Sequence, residues 1–353
     1  VPDLTVSHFG LATTLRLDIE QTLFGLEEPS RPDPGEGSVS TLAPGNVSVQ
    51  PEEPEEGKTP AASGPNVMDI DFDALIANET DSTLKDMHEY FRDRTPTEKN
   101  QYTGMFQGKN LLLFTGEAFW IGAVNEQYTP TLYKLAHSGF VFENFYNPLW
   151  YYSTVDGEYA ATTGLIPTNQ VNASQRYAGK NGVSMYFSMG NQLRALGYPT
   201  LAYHNNTANY YDRNLSHPNL GYDFYACDTG LDVAMTWPQS DLEMMQLTLP
   251  QALAGEKPFH NYYMTVSGHM NYSFAGNAMS AKHRDEVADL DMSEAARAYL
   301  ACNMELDQAL EYTIKTLEEA GELENTVIVL SGDHYPYGLD GTGAIDELAG
   351  EGT

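Results

Sequence analysis

Three residues of this chain carry side chains that together suit a divalent cation. Glu117 and the pair Asp333-His334 supply two carboxylates and an imidazole, a donor set that binds Mn²⁺, Zn²⁺ or Mg²⁺. Three protein ligands leave one coordination position open, and a hydroxyl placed there has its pKa lowered and becomes a nucleophile. The segment YYSTVDGEY (151–159) offers that hydroxyl in Thr154. The pattern therefore predicts metal-assisted attack by a side-chain hydroxyl.

The same residues also have ordinary structural interpretations. Thr154 is predicted to begin a helix after FYNPLWYYS (145–153). Threonine is a common helix cap, and the amides of a helix N-terminus also bind anions. Asp-His at 333–334 is equally common as a turn. The residues alone leave both readings open.

Further polar residues follow two middle strands. His204 ends the predicted strand TLAYH, and His269 comes directly after YYMTVSG. In open α/β sheets, ligands bind at the carboxyl ends of the strands, where the loops converge. Glu117 follows the first predicted strand and Asp333 the last one. The polar residues at these four strand ends therefore predict one shared ligand-binding site.

Alternating strand and helix patterns determine the expected fold. The predicted strands are 110–115, 140–146, 200–204, 259–267 and 325–334, and the predicted helices are 82–94, 129–139, 185–198 and a long helix that begins near the capping pair Asp291/Glu294. The strand NLLLFT is a continuous apolar run, which is typical of a strand buried on both faces of a parallel sheet. The pattern predicts an α/β fold with a mainly parallel central sheet sandwiched by helices.

The charge balance excludes one class of partner. The chain has 18 basic and 49 acidic residues, which gives a formal net charge of −31. Such a charge repels nucleic acid, and it also repels anionic membrane surfaces. An anionic substrate therefore requires a local set of cation, histidine and arginine that overrides the global field.

Cysteines and apolar runs are sparse. Cys227 and Cys302 are too few for a disulfide framework, and the sequence leaves open whether they are two buried thiols or one bridge. No run approaches the ~20 apolar residues of a membrane span, and no signal peptide is recognised.

Composition divides the chain into three predicted parts. Residues 1–27 have a weakly amphipathic pattern, which fits a short helix docked on a domain or a membrane-proximal helix. Residues 28–81 are acidic and rich in Pro, Gly and Ser, and predict a linker or an irregular wrap. Residues 82–353 carry the alternating pattern and are the predicted catalytic domain.

Five motifs resemble a single family in order and spacing. They are EKNQYTGMFQGKNLLLFTGEAFW (98–120), STVDGEY (153–159), YHNNTANYYDRN (203–214), VSGHMNYSF (266–274) and SGDHYPYG (331–338). Together they resemble the extracellular catalytic domain of lipoteichoic acid synthases, which are polyglycerol-phosphate transferases of the sulfatase and alkaline phosphatase superfamily. The resemblance runs from about residue 82 to 340. It implies a sulfatase-like fold whose C-terminal part is missing from this chain.

The resemblance assigns roles position by position. It makes Thr154 the nucleophile that forms a covalent glycerol-phosphate intermediate. The implied ligands of one Mn²⁺ or Mg²⁺ are Glu117, Thr154, Asp333 and His334, and the implied substrate-binding residues are His204, Tyr211, Arg213 and His269. His269 is also placed to protonate the departing hydroxyl or to activate the incoming one. The family often has tryptophan where this chain has Tyr211, and a tyrosine ring still stacks on glycerol.

The substrate-binding residues have specific chemical expectations and alternatives. The fork of the Arg213 guanidinium can grip phosphate oxygens, and the two histidines can donate hydrogen bonds to them. Alternatively, Arg213 pairs with Asp212 or another acid, and His204 is a buried strand-end histidine.

The segment after Thr154 disfavours a sulfate ester hydrolase. Sulfatases need a cysteine or serine followed by x-Pro-x-Arg to make formylglycine, and Val155-Asp156-Gly157-Glu158 departs from that pattern. An alkaline phosphatase of the two-zinc kind needs further Asp and His ligands, which the motifs do not identify.

The resemblance thus implies a metal-dependent phosphoglycerol transferase of lipoteichoic acid synthesis. Its donor is a phosphatidylglycerol-like lipid, and its acceptor is a glycolipid or a polyglycerol-phosphate chain. A membrane-anchored parent with this domain outside the cell is expected. One alternative is a phosphoethanolamine-type transferase or phosphodiesterase on the same scaffold. The other is an inert module that binds headgroups or polymer.

Overall fold

The structure is a computed structural model that describes most of the predicted catalytic region. It describes residues 63–67, 70–142, 144–146, 149–167 and 174–350. The predicted helix in 1–27 and most of the predicted linker lie outside the described residues. The chain divides into two compact units, residues 29–107 and a unit that includes residues 108–353, and each is described by itself.

Two short helices are the regular elements in the described part of the first unit. Helix α1 (Phe72–Asn78) begins after Asp71, and helix α2 (Ser82–Arg92) begins after Asp81. Each aspartate side chain accepts hydrogen bonds from backbone amides of the first turn, as expected of an N-cap. Helix α1 lies inside the predicted linker. Helix α2 belongs to this unit rather than to the unit that carries the sheet, because it packs on α1.

Within the described residues, parallel strands form the sheet of the second unit. In chain order they are β1 (Asn110–Gly116), β2 (Thr200–His204), β3 (Asp223–Ala226), β4 (His260–Met264) and β5 (Thr326–Gly332). Their order across the sheet is β3-β2-β4-β1-β5, and each neighbouring pair is parallel. The predicted α/β fold with a parallel central sheet is confirmed.

Helices cover both faces of this sheet. They are α3 (Pro130–Ala136), α4 (Thr154–Thr163), α5 (Ser174–Asn181), α6 (Met189–Ala195), α7 (Arg213–Asn219), α8 (Asp241–Ala254), α9 (Ala278–Lys282), α10 (Glu294–Glu319) and α11 (Ala344–Ala349). On one face, Phe114 and Tyr263 pack with Met244 of α8 and Leu310 of α10. On the other, Leu113 belongs to a smaller buried cluster. The sheet is therefore buried on both sides, as the apolar run of β1 predicted.

The predicted strand 140–146 is wrong. Its described residues form neither a strand nor a helix. The side chains of Phe142 and Tyr146 are 76% and 82% exposed, and no strand within the described part of the chain pairs with this segment. Apolar composition alone does not distinguish a buried strand from an exposed aromatic segment.

Strand β4 is shorter than the predicted strand 259–267. It ends at Met264. The amide of Thr265 still donates to the Thr115 carbonyl oxygen of β1 (3.1 Å), but the amides after it bind a side chain instead of a neighbouring strand. The amides of Val266 and Ser267 donate to the carboxylate of Asp241 at the start of α8 (2.9 and 3.1 Å). The strand thus gives way to a loop that a buried aspartate holds, directly before His269.

Helix boundaries also differ in detail. Helix α10 is capped by Ser293, whose hydroxyl accepts from the amide of Ala296, and not by Asp291. The predicted helix 185–198 is the shorter α6. Strand β3 and helix α8 were not predicted.

Both cysteines are free thiols. Cys302 lies buried on α10, and Cys227 is half-buried after β3. Of the two alternatives that the sequence left open, the structure shows separate thiols.

A buried carboxylate joins three helical segments next to the main core. Glu305 of α10 accepts hydrogen bonds from Lys282 Nζ (2.7 Å) and from the Ser240 hydroxyl, and its Oε2 lies 2.8 Å from His283 Nε2. Burial opposes the ionisation of Glu305, but hydrogen bonds from His283 and Lys282 outweigh it and lower its pKa to about 2. A carboxylate whose pKa is lowered in the folded state stabilises the fold above its unfolded-state pKa.

We expect Glu305→Gln to lower the free energy of unfolding at pH 7 by about 3 kcal/mol, because it removes the carboxylate that the buried His283 ring and the partly exposed Lys282 ammonium bind. The difference between the two proteins should shrink as the pH falls from about 4.5 through about 2. Urea unfolding at several pH values measures it. A constant difference across this window would contradict the assignment of the pKa shift.

Candidate active site

The sheet brings two carboxylates to adjacent strand ends. Strands β1 and β5 pair in register up to Gly116 and Gly332, so the next residues, Glu117 and Asp333, leave the sheet side by side. Both side chains are buried. Oδ1 of Asp333 accepts from the backbone amides of Ala118 (2.8 Å) and His334 (2.7 Å). The carboxylate of Asp333 is thus held in one orientation by the two loops.

His334 completes a compact donor set. Its Nε2 lies 3.3 Å from Asp333 Oδ2 and 3.5 Å from Glu117 Oε1, and one donor atom from each of the three residues lies within 4.8 Å of the others. Its Nδ1 lies 2.9 Å from the carbonyl oxygen of Tyr335, which accepts the Nδ1 proton. The ring therefore turns its Nε2 toward the two carboxylates, as a metal-binding histidine does.

The electrostatics of this cluster fit a cation. Burial, with the charge of Glu117, raises the pKa of Asp333 well above its usual range. Oδ2 of Asp333 is buried and has no hydrogen-bond partner. Burial lowers the pKa of His334, but the charge of Asp333 outweighs it and raises that pKa to about 9. Two buried carboxylates and an unpartnered oxygen are the environment in which a divalent cation replaces a proton.

Thr154 joins this donor set through its hydroxyl. It is the first residue of α4 and is buried. Its Oγ1 donates to Glu117 Oε2 (3.2 Å) and lies 3.4 Å from His334 Nε2. The interpretation of Thr154 as a helix cap is wrong, because Ser153 occupies the cap position. The hydroxyl therefore faces the cluster rather than the backbone.

Two glycines allow the loops to approach this cluster. A Cβ atom at Gly157 of α4 would lie 2.3 Å from the carbonyl oxygen of Asp333, and one at Gly268 would lie 2.3 Å from that of Glu117. The same carbonyl of Asp333 accepts a hydrogen bond from the indole of Trp150 (3.1 Å). Helix α4 can therefore lie against the last strand end only if residue 157 has no side chain.

We expect Gly157→Ala to lower the affinity for Mn²⁺ by about 10-fold or more, because the added methyl group pushes α4 away from the residues that hold the cation. Titration with Mn²⁺ followed by electron paramagnetic resonance measures this affinity. Gly255→Ala is the matched control, since its new Cβ atom meets the nearest carbonyl oxygen at 3.4 Å, an ordinary contact. Equal affinities in the two variants would contradict the close packing of α4 on Asp333.

Arg213 lies fully buried against an acid that the sequence analysis did not single out. Its Nε and Nη2 donate to Glu158 Oε2 at 3.0 and 2.8 Å. The alternative partner Asp212 instead binds Arg176 and Lys180. One edge of the guanidinium fork is thus occupied, which corrects the expectation that the whole fork is free for phosphate. Its Nη1 keeps only a long contact, 3.5 Å from the carbonyl oxygen of Tyr210.

Tyr211 covers the guanidinium of Arg213. The distance from the guanidinium carbon to the ring centre is 5.3 Å. Tyr211 has a left-handed backbone conformation with φ of 58°. Burial raises the pKa of Tyr211, and the neighbouring Tyr210 raises it further. The tyrosine ring covers one face of the Arg213 guanidinium.

His204 is a neutral, buried histidine. Burial, with the charge of Arg213, lowers its pKa to about 3. Its Nδ1 lies 3.0 Å from the carbonyl oxygen of Met264, so the single ring proton resides on Nδ1. Nε2 is then an acceptor. This corrects the expectation that His204 donates to phosphate, and favours a hydrogen bond from a substrate hydroxyl.

His269 lies in the loop after β4. It is half-buried, its Nδ1 lies 2.6 Å from the carbonyl oxygen of Met270, and its ring meets the edge of Trp237. Burial raises the pKa of Glu117. A hydrogen bond from His334 and the charge of His269 outweigh burial and lower this pKa. Gly268, directly before His269, packs against the backbone of Glu117, which places the loop of His269 beside the cluster. Nδ1 of His269, and not Nε2, faces the Met270 carbonyl oxygen.

Glu158 is the residue that sequence reasoning missed. It stands four positions after Thr154 on α4, so the two side chains share one face of the helix. This spacing was the available signal. Its partner Arg213 is 55 positions away, which no local pattern reveals.

Comparison with known proteins identifies the family. The profile of the sulfatase family matches residues 109–351, which is more than half of the chain. The chain belongs to the sulfatase family. The fold and the superfamily expected from the motifs are thereby confirmed.

Individual relatives of this sulfatase domain are lipoteichoic acid synthases. Lipoteichoic acid synthase 2 of Bacillus subtilis is 23% identical over 300 residues, covering 81% of this chain and 44% of that protein. The lipoteichoic acid synthase of Staphylococcus saprophyticus is 25% identical over 289 residues, covering 78% and 43%. The structure of the lipoteichoic acid synthase LtaP from Listeria monocytogenes matches with a TM-score of 0.55 at 23% identity, over 66% of this chain and 57% of that one. The chain spans less than half the length of the two curated relatives.

Proposed function

We propose that this sulfatase domain transfers glycerol phosphate from a phosphatidylglycerol-like lipid to a glycolipid or a polyglycerol-phosphate chain. The observation that carries the proposal is the buried hydroxyl of Thr154, which lies 3.2 Å from Glu117 Oε2 beside the unpartnered Oδ2 of Asp333. A nucleophile beside a cation site suits phosphoryl transfer, in which the protein mainly positions groups and stabilises charge. The similarity to lipoteichoic acid synthases favours glycerol phosphate as the transferred group.

Glu117, Thr154, Asp333 and His334 would hold one divalent cation, Mn²⁺ or Mg²⁺. When bound, the cation supplies positive charge that lowers the pKa of a hydroxyl and neutralises phosphate oxygens. Glu117 keeps a low pKa and remains ionised, so it accepts the hydrogen bond of the Thr154 hydroxyl. Thr154 Oγ1 gives its proton to Glu117 Oε2 and forms a bond to phosphorus as the bond from phosphorus to the diacylglycerol oxygen breaks. The acceptor hydroxyl then displaces Thr154 from the glycerol phosphate, and the Thr154 oxygen takes its proton back from Glu117.

His269 and the group around Arg213 would act on the substrate. In its protonated form, His269 donates a proton from Nε2 to the departing diacylglycerol oxygen. In its neutral form, it accepts the proton of the incoming hydroxyl. Nη1 of Arg213, which makes only a long hydrogen bond to the Tyr210 carbonyl oxygen, binds a phosphate oxygen. His204 Nε2 accepts a hydrogen bond from a glycerol hydroxyl, and Tyr211 packs on the glycerol carbons.

The proposal places the domain outside the cell on a membrane-anchored parent, where the lipid donor lies. None of the helices in the described part of the chain has the length and the apolar composition that a membrane span requires.

The donor is tested with fluorescent lipids in vesicles of phosphatidylcholine that also contain Mn²⁺. We expect diacylglycerol to be released from phosphatidylglycerol and not from phosphatidylethanolamine. Release from phosphatidylethanolamine alone would replace the proposal with phosphoethanolamine transfer. Headgroup binding without release from either lipid, equal in wild type and Thr154→Ala, would replace it with a binding module.

A further inference from the structure

Glu158 connects three elements around one carboxylate. Besides the two bonds from Arg213 of α7, its Oε1 accepts from the hydroxyl of Tyr262 on β4 (3.3 Å) and lies 3.2 Å from His217 Nε2 on α7. The Glu158 and Arg213 side chains are 0% and 1% exposed. A carboxylate only accepts hydrogen bonds, so Nε2 of His217 carries a proton toward Glu158. Nδ1 of His217 lies 3.3 Å from the Ser216 hydroxyl.

A wholly buried ion pair such as Glu158 and Arg213 requires an explanation of what it contributes to the protein. Desolvation of two ions costs about as much as their attraction returns, so an apolar pair of similar volume often gives equal or greater stability. The pair Glu158 and Arg213 is therefore weak evidence for a role in stability alone. It does fix the direction of the guanidinium, because the bonds from Nε and Nη2 converge on one oxygen, Glu158 Oε2, and leave the arginine little freedom to rotate.

The direction of the Arg213 guanidinium is tied to the nucleophile through the position of Glu158 in α4. Glu158 lies one helical turn after Thr154 on the same face of α4, so the helix that carries the nucleophile also carries the anchor of the arginine. Any shift of α4 moves both together. Nη1 makes only a long hydrogen bond, 3.5 Å to the Tyr210 carbonyl oxygen, and the Tyr211 ring covers one face of the guanidinium. The Nη1 edge is therefore the side of the arginine that a ligand can engage.

We propose that Glu158 is a positioning residue, which aims the Nη1 edge of Arg213 at the phosphate that Thr154 attacks. The inference rests on the proposed function in that it takes a phosphoester as the ligand. Glu158 itself does not touch the substrate. It acts through Arg213 and sets the distance between the arginine and the nucleophile through α4.

The test is a double-mutant cycle of Glu158→Gln and Arg213→Met, measured as kcat/KM for diacylglycerol release from phosphatidylglycerol. We expect Glu158→Gln alone to lower kcat/KM by about 30-fold or more. In the Arg213→Met protein, the same substitution should change kcat/KM by less than about 3-fold, because the residue it acts through is gone. Losses that multiply in the double variant would overturn the proposal.

Two further variants separate positioning from folding. Glu158→Asp keeps the charge and should recover a part of the activity that Glu158→Gln loses. Glu305→Gln removes a different buried carboxylate with basic partners and should keep wild-type kcat/KM. The Mn²⁺ affinity of Glu158→Gln should stay within about 3-fold of wild type. A matching loss of Mn²⁺ affinity would mean that the site has collapsed, and would also overturn the proposal.

A measurement that does not depend on catalytic turnover tests this inference separately from the proposed function. The Nε–H signal of Arg213 is assigned in ¹⁵N NMR spectra, with Mg²⁺ as the metal, by its absence in Arg213→Met. We expect it to be protected from water exchange in wild type and exposed in Glu158→Gln, with weaker binding of inorganic phosphate. If wild type releases no diacylglycerol but these signals behave as expected, the donor is wrong and the positioning role stands. An unchanged signal and unchanged phosphate affinity in Glu158→Gln would refute the positioning role.

Discussion

Replacing Thr154 with alanine is expected to lower diacylglycerol release by about 10⁴-fold or more, the scale of loss when a nucleophile is removed. The reason is geometric. The Oγ1 of Thr154 is the hydroxyl that contacts both Glu117 and His334, so its removal leaves only water to attack. Steady-state release from fluorescent phosphatidylglycerol measures the effect.

Three controls make this prediction specific. Thr154→Ser keeps a hydroxyl at the same position and should keep a substantial part of the activity. Thr163→Ala, at the other end of α4, removes a hydroxyl that only bonds the Tyr159 carbonyl and the Leu165 amide, and should behave like wild type. Thr154→Ala should still bind Mn²⁺ through the other three ligands. Activity in Thr154→Ala within 10-fold of wild type would mean that another group reacts.

Replacing Asp333 with asparagine is expected to lower the Mn²⁺ affinity by about 100-fold or more, above the usual effect of residues that only support a ligand. The Oδ1 bonds from Ala118 and His334 persist in asparagine, but the charge on the unpartnered Oδ2 is lost. Mn²⁺ should therefore raise the thermal unfolding temperature of wild type and not that of the variant. Calorimetry with and without Mn²⁺ measures both quantities.

The sign of the stability change in the metal-free protein also follows. Burial and the charge of Glu117 raise the pKa of Asp333, and a carboxyl whose pKa is raised in the folded state costs stability once the pH exceeds its unfolded value of about 3.9. Metal-free Asp333→Asn should therefore unfold at no lower temperature than metal-free wild type at pH 7. Asp307→Asn is the control for the loss of a buried carboxyl group outside the cluster. Burial raises the pKa of Asp307 to about 6, and its side chain accepts a hydrogen bond from the Leu132 amide. A wild-type response of Asp333→Asn to Mn²⁺ would contradict its role as a ligand.

The cation cluster is the part of the site that sequence predicted best. The apolar run of β1 and the strand before Asp333 place their next residues at one edge of a parallel sheet, and the register of Gly116 with Gly332 then brings Glu117 and Asp333 together. Strand ends are a property of topology, and topology follows from strand order along the chain. The donor set could therefore be predicted without knowing any side-chain conformation.

The group around Arg213 could not be predicted in the same way. Whether Arg213 pairs with its neighbour Asp212 or with Glu158 depends on burial and rotamers, and the two candidates differ only in the folded state. The tautomer of His204 depends likewise on the Met264 carbonyl of a neighbouring strand. Helix α8 was missed for a local reason, since Pro250 stands inside it and proline normally predicts a helix end.

The most direct test of the central claim is the intact mass of the protein after incubation with Mn²⁺ and phosphatidylglycerol. The account predicts a glycerol-phosphate adduct on wild type, located on the peptide that contains Thr154, and no adduct on Thr154→Ala. An adduct that persists in Thr154→Ala, or diacylglycerol release by wild type with no adduct under rapid quenching, would contradict a covalent intermediate on Thr154.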